Sequence, residues 1–313
     1  MTRTMRAWRI HRYGGLEVLS LEDAPVPSPL DGEILVRVAA VSVNPIDWRQ
    51  RSGSVQESFP VTFPRVLGRD CAGVVVESRS PDFRAGDRVL AINDQRRNIG
   101  THAQYAVVPA AQATVIPSRV SDVQAVAIGN SGVTAWSGIV TTAGVGRGQR
   151  VLVHAGAGGV GGIAVQLARH FGAEVFATCS TRNLDYVASL GAHHAIDYSR
   201  GDFTSAVRDC DIVFDMVGGE THRRSFECLK PGGILLWIPA WGGDNPPPPR
   251  QDVRVLHAAV RAASDRLRSM MALVVEGALK PQIAREYPMA EAPAAYAASE
   301  SGRSRGKNII VME

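Results

Sequence analysis

The chain has 313 residues, 45% of them hydrophobic and 20% charged, which at about 150 residues per domain makes it a folded protein of about two domains. A chain of this size buries about three quarters of its unfolded surface, so disulfide- or metal-stapled scaffolds are excluded. The 34 basic and 30 acidic residues leave a formal charge of +4 with the arginines scattered, which argues against a nucleic-acid surface.

Four widely separated cysteines, Cys71, Cys179, Cys210 and Cys228, show no zinc-ligand spacing and fit a reducing compartment. Residues 1–12 carry no apolar signal core, and no stretch approaches the roughly 18 apolar residues of a membrane span. The expectation is a cytoplasmic protein with no membrane and no nucleic-acid partner.

In chain order, short β-rich runs at residues 33–43, 73–77, 88–92 and 103–108 alternate with Pro/Gly punctuation, and predict a mostly antiparallel β domain. Near Val120 the texture changes. Apolar strands at 151–154, 174–178, 194–196, 211–215 and 234–238 then alternate with helical runs at 159–171, 182–190 and 220–229, the pattern of βαβ units on a doubly wound parallel sheet. Residues 244–250, with prolines at 246–249, predict an exposed loop that can line a cleft. Helical periodicity over 255–277 ends at a glycine with Pro281 beyond it, and 309–311 is one more strand, able to return to the first sheet. The fold class is thus α/β, a mostly antiparallel β domain plus a parallel-sheet domain.

The central motif is Val151-Leu-Val-His-Ala-Gly156-Ala-Gly158-Gly159-Val160-Gly161-Gly162, a strand entering G-x-G-x-x-G and then an apolar helix. Glycines permit a tight turn and close backbone approach to a pyrophosphate, and the helix start offers unpaired N–H donors to the anion. NAD-selective sites place an acid about 20 residues further on; here stand Ser180, Thr181, Arg182 and Asn183. Two hydroxyls and a guanidinium suit a 2′-phosphate, so the expected cofactor is NADPH. Ser180-Thr181 also reads as a helix N-cap, compatible with that role.

An ordered series of motifs now carries a resemblance over nearly the whole chain: Met5-Arg-Ala, Asn44-Pro-Ile-Asp47-Trp-Arg-Gln-Arg51-Ser-Gly53, Leu67-Gly-Arg-Asp70-Cys-Ala-Gly73, Gly86-Asp87-Arg88-Val89 and Arg305-Gly306-Lys307. The chain resembles the zinc-free quinone oxidoreductases of the medium-chain dehydrogenase/reductase superfamily. The resemblance implies a GroES-like domain from residues 1–122 and 281–313 and a Rossmann NADPH-binding domain from 123–280. Zinc alcohol dehydrogenases of the superfamily place a Cys near Asn44 or Asp47, a His-Glu pair at Arg69-Asp70, and a four-cysteine lobe where this chain has only residues 93–100. Arg69 cannot ligate a metal, and without a Lewis acid simple alcohol oxidation lacks its electrophile.

By resemblance, Asn44 either hydrogen-bonds the substrate carbonyl beside the nicotinamide or closes the turn before Pro45. Asp47 either orients backbone or pairs with Arg51. Thr134 resembles the residue that touches the nicotinamide end, Tyr198 the tyrosine near the 2′-phosphate, and Ile238 and Ala240 follow the strand that presents backbone to the carboxamide. Asn308 either closes over the cofactor or simply starts a strand. His154 reads as a satisfied core residue, and His193-His194 as surface.

The function expected is hydride transfer from NADPH to a quinone or an α,β-unsaturated carbonyl, with no metal. Enoyl reduction of a specialised-metabolite intermediate and a non-catalytic, crystallin-like NADPH-binding role are the alternatives. A homodimer is expected, through an edge strand at 234–238.

Overall fold

The computed structural model describes residues 3–93, 99–238 and 250–312. The chain divides into two compact units: Met1–Asn130 with Ala262–Glu276 and Pro281–Glu313, and Ser131–Arg261 with Gly277–Lys280.

The first unit opens with β1 (Thr4–Ile10), β2 (Ser20–Pro25) and β3 (Glu33–Ser42), then a short helix α1 (Pro45–Ser52). Next come β4 (Arg65–Val66), β5 (Asp70–Ser78), β6 (Arg88–Ile92), β7 (Tyr105–Pro109), β8 (Ala113–Val115) and the start of helix α2 (Asp122–Ala135), whose residues from Ser131 on belong to the second unit. β2, β1 and β4 form a small antiparallel sheet, while β3, β5, β6 and β8 form the body of a larger one with β7 on β3. Its inner face is an aliphatic core of Ile34, Val36, Leu67, Val75, Val89 and Ile310 closed by Tyr287 and Tyr296. Such β-branched runs suit a pleated, half-buried surface.

The second unit holds β9 (Arg150–Val153), α3 (Gly159–His170), β10 (Glu174–Cys179), α4 (Leu184–Ser189), β11 (His194–Asp197), α5 (Phe203–Ala206), β12 (Cys210–Asp215), α6 (Gly219–Ser225), β13 (Leu229–Trp237) and β14 (Arg254–His257). All five pairings are parallel, in the order β11-β10-β9-β12-β13-β14. The order of winding reverses between β9 and β12, and ligands of doubly wound sheets bind outside the carboxyl ends of the strands at that switch. Val151, Leu152, Val213, Phe214 and Leu235 are fully buried, as strands covered on both faces require.

The chain then returns to the first unit through α7 (Ser264–Val275), β15 (Ile283–Pro288), α8 (Ala292–Glu300) and β16 (Lys307–Val311). β16 lies antiparallel to β3, with Ile310 opposite Val41, and parallel to β15. The C-terminal strand does rejoin the first sheet.

Three sequence readings change. The helix expected from 255 begins only at Ser264: Val255 and Leu256 extend the parallel sheet beside β13 as β14, and Leu267, Met270 and Met271 carry the true helical face. That helix belongs to the first unit, where the Ser264 hydroxyl donates to the Ala111 carbonyl, rather than to a Rossmann segment running through 280. The expected edge strand at 234–238 is interior, between β12 and β14, and β14 is the edge. The proline run at 246–249 lies outside the described residues.

Candidate active site

β9 ends at Val153, and the chain turns through Ala155, whose φ of 52° lies in the left-handed region, before α3 starts at Gly159 with Gly158 as N-cap. A non-glycine residue held there stores strain of order 1 kcal/mol. The turn is tied by Gly156 N–H to the Thr178 carbonyl (2.9 Å) and Gly158 N–H to the Ala155 carbonyl (3.0 Å).

The glycines have different reasons. A Cβ on Gly161 would lie 2.2 Å from the Ala155 carbonyl oxygen, so Gly161 permits the helix to approach the turn. A Cβ on Gly156 would meet the Ala177 methyl at 2.9 Å. Gly158 is extended (φ −79°) and a Cβ there would meet only the Ala155 oxygen at 3.4 Å. Packing leaves room for a side chain at Gly158, the N-cap, and the N–H groups of Gly159, Val160 and Gly161 at the start of α3 could receive an anion. The loop fits a dinucleotide pyrophosphate.

Beneath the turn, His154 is buried, its Nδ1 bonded to the Thr178 hydroxyl (3.0 Å) and Nε2 to the Ser225 hydroxyl (2.9 Å). Burial holds its pKa down, to about 4, so it is a neutral, satisfied core residue. Beside it the Asp215 carboxylate accepts from the N–H groups of Val217 and Gly218 and from His222 Nδ1 (2.8 Å). Sequence reading missed this second pair, though an Asp closing a strand before Gly-Gly was a signal for it.

At the end of β10, Thr181 and Arg182 are exposed and the Asn183 amide donates to the Ser180 hydroxyl (3.1 Å). Tyr198 is exposed, with its N–H on the Cys179 carbonyl (3.2 Å). Asp197, not singled out in the sequence, sits between these two strand ends: it accepts from the hydroxyls of Thr181 (2.5 Å) and Ser199 (2.6 Å). Those hydrogen bonds hold its carboxyl below the usual range. Ile238 follows β13 and donates to the Asp215 carbonyl (3.3 Å), Thr134 is buried near the end of α2, and Ala240 lies outside the described residues.

Asn44 and Asp47 lie in the first unit, within a buried polar cluster. Pro45 at the first turn and the Asp47 carboxylate, which accepts the Asn44 N–H (2.7 Å), start α1. The Asn44 side chain is 1% exposed. Its Oδ1 accepts from Lys307 Nζ (2.7 Å) and the Asn130 amide (3.3 Å). Its Nδ2 makes only long contacts, to the Ser42 carbonyl (3.2 Å), the Ser42 hydroxyl (3.3 Å) and Asp70 (3.4 Å).

Lys307 also donates to the Val43 carbonyl (2.7 Å), and the Asp70 carboxylate takes the Ser42 hydroxyl (2.8 Å) and the Asn130 N–H (2.7 Å). That last bond satisfies a donor freed where α2 departs from helical geometry at Gly129 (φ −29°, ψ −111°). Burial pushes Asp70 up and Lys307 down against their mutual attraction, and pushes the Asp47 carboxyl up to about 6. Arg51 pairs not with Asp47 but with Glu300 (3.0 Å). Asn308 is buried, its amide on the Ser304 hydroxyl (2.9 Å). Lys307 and Asp70 were quoted in the sequence motifs without a role, because their partners lie far away in the chain.

Two family profiles match: residues 30–118 fit an alcohol dehydrogenase GroES-like domain, and residues 190–310 one described as a zinc-binding dehydrogenase. Over 98% of its length, and 98% of the relative's, the chain is 30% identical to the chloroplast envelope quinone oxidoreductase homolog of Arabidopsis thaliana. It is 31% identical, over 98% of this chain and 80% of the relative, to the chloroplastic NADPH-dependent alkenal/one oxidoreductase of the same plant. Among solved structures it is similar to the quinone oxidoreductase from Coxiella burnetii, with a TM-score of 0.91 and 30% identity over 99% of this chain and 100% of that one.

The second profile's description raises zinc. Among the described residues no three His, Cys, Asp or Glu side chains converge as ligands. Asp70 is already engaged by Ser42 and Asn130, and burial pushes the neighbouring Cys71 thiol far up. The donor set does not fit a metal.

Proposed function

The chain belongs to the quinone oxidoreductases of the medium-chain dehydrogenase/reductase superfamily and is an oxidoreductase of that kind; from this premise we propose an NADPH-dependent, zinc-independent reductase of quinones or α,β-unsaturated carbonyls. The observation that carries the reading is the loop after β9, where Gly158 lacks a side chain that packing alone would admit, at the switch point of the parallel sheet. The dinucleotide, when bound, supplies a hydride from nicotinamide C4. The N–H groups of Gly159, Val160 and Gly161 would hold its pyrophosphate, and Thr134 and Ile238 its nicotinamide end. Arg182 and Tyr198, both exposed at the strand ends, with Ser180, would meet the 2′-phosphate, which supports NADPH as cofactor, while the Thr181 hydroxyl proton beside them is given to Asp197.

Asn44 orients the acceptor. Lys307 grips its oxygen at 2.7 Å, while its amide protons are spread over contacts of 3.2–3.4 Å, longer than the ordinary optimum. The amide nitrogen is thus the more weakly held end of the side chain and the one that would donate to an acceptor carbonyl. Asp47 acts through the Asn44 backbone as a positioning residue. An electron-poor quinone or enone takes the arriving charge on its own conjugated carbonyl, and solvent supplies the proton. We place the protein in the cytoplasm as a homodimer, in which the open edge of β14 provides a pairing surface.

Turnover of an enone with NADPH deuterated at C4 tests this reading. Deuterium at the β-carbon of the saturated ketone is the expected result, and reduction without carbon-bound deuterium would overturn it.

A further inference from the structure

Two strand ends meet at the adenosine side of the second unit, and the carboxylate between them has no place in the reading so far. Cys179, the last residue of β10, pairs in register with Asp197, the last of β11. The loop after β10 is where a doubly wound fold receives the ribose that bears either a 2′-hydroxyl or a 2′-phosphate. Asp197 faces that loop from the neighbouring strand.

A hydroxyl has one proton to give. The Thr181 proton goes to one Asp197 oxygen (2.5 Å), and the Ser199 proton goes to the other (2.6 Å), supported by the Ser199 N–H (2.9 Å). Arg200 contributes a guanidinium 3.8 Å from the same carboxylate. A 2′-phosphate dianion offers acceptors alone, so it meets hydroxyls whose protons are committed and a like charge behind them. A ribose 2′-hydroxyl is a donor, and it meets oxygen acceptors. The acid that NAD-selective sites carry at the end of the second strand is absent from residues 180–183, yet a carboxylate reaches the same place from β11.

We propose that Asp197 is a specificity-determining residue which, by holding the Thr181 and Ser199 hydroxyl protons, restrains selectivity for NADPH over NADH. This rests on the dinucleotide reading above and deepens it: the arginines draw the 2′-phosphate in, and Asp197 limits the discrimination they achieve, so the wild-type protein binds both cofactors.

The test is the dissociation constants of NADPH and NADH, read by quenching of intrinsic fluorescence without any acceptor. Asp197→Asn removes the like charge and should raise the NADPH-to-NADH affinity ratio about fivefold or more, chiefly through tighter NADPH. Thr181→Val should change NADPH affinity by less than about twofold in the wild-type background, because its proton is already spent on Asp197. Combined with Asp197→Asn it should cost more. Circular dichroism and melting temperature report whether each variant folds, and Thr181→Val, an exposed near-isosteric change, keeps the question answerable if Asp197→Asn does not. An unchanged ratio in folded Asp197→Asn, or a large loss of NADPH from Thr181→Val alone, would overturn the proposal while leaving the cofactor reading intact. Failure of the wild-type protein to bind either dinucleotide would overturn both.

Discussion

Asn44 illustrates what one residue can and cannot disclose. The motif Asn44-Pro-Ile-Asp47 pointed to a turn and left Asp47 either orienting backbone or pairing with Arg51; the 2.7 Å bond from the Asn44 N–H to Asp47, with Arg51 on Glu300, is the first of these. The lysine that grips the Asn44 oxygen lies 263 residues further on and was invisible as a partner. If the side chain orients the acceptor, Asn44→Ala should lower kcat about tenfold or more, the worth of one well-placed donor to a developing charge, with NADPH affinity changed less than about twofold. Equal kcat in the variant would remove Asn44 from the mechanism. Lys307→Met keeps the stem but frees the amide and leaves Asp47 and Asp70 uncompensated, so it should cost about 3–5 kcal/mol of stability as well as turnover. Urea denaturation read beside kcat separates the two effects, and an unchanged denaturation midpoint would contradict the cluster.

At the scale of elements, the strand–loop–helix around Gly158 was the most legible part of the chain, because a glycine pattern and an apolar strand are both local signals. The helix at 255–277 was misread for the opposite reason: Val255 and Leu256 satisfy helical spacing, and only the neighbouring β13 makes them a strand. The loop yields a contrast between two glycines. Gly161→Ala places a methyl 2.2 Å from the Ala155 oxygen, a backbone atom, and should cost about 3 kcal/mol or more. Gly158→Ala meets nothing closer than 3.4 Å and should cost about 1 kcal/mol or less as a weakened cap. It should nonetheless weaken NADPH about tenfold or more, because the methyl occupies the anion's approach. Thermal melts with and without NADPH check both. A Gly158→Ala variant that binds normally would mean the glycine serves the turn rather than the ligand.

Across the whole molecule, two of the buried histidines, His102 and His154, contribute to the response to pH. His102, bonded to the Tyr296 hydroxyl, and His154 are both held down to about 4 by burial, from an unfolded value of 6.5. Between these values the unfolded chain binds their protons and the folded chain does not, so each contributes stability that is lost as pH falls below 6.5. Asp47 runs the other way. Raised to about 6 from 3.8, it holds a proton in the folded state, and its contribution fades as pH rises through 6. Asp70, raised by burial as well, acts in the same sense as Asp47. The contribution of one histidine is therefore isolated by a variant: His154 should add about 2 kcal/mol to stability at pH 7 relative to pH 5, and His154→Asn should remove that share. Guanidinium denaturation of both proteins at the two pH values is the check, and an identical pH dependence in the two would contradict the assignment.

The division into a β unit and a parallel-sheet unit was legible from the change of texture near Val120, because strand periodicity and βαβ alternation are properties of the chain itself. The site proposed for the adenosine end was legible only in part. Ser180 to Arg182 stood out by their distance from the glycines, whereas Asp197 joins them through the register of β10 and β11, which no local pattern encodes. Oxidation of NADPH by the purified, metal-analysed protein with 1,4-benzoquinone, 9,10-phenanthrenequinone and a simple enone puts the proposed chemistry to the test. Turnover of at least one acceptor at a rate independent of bound zinc is the predicted result. Activity that rises and falls with zinc content, or tight NADPH binding with no acceptor reduced, would contradict it.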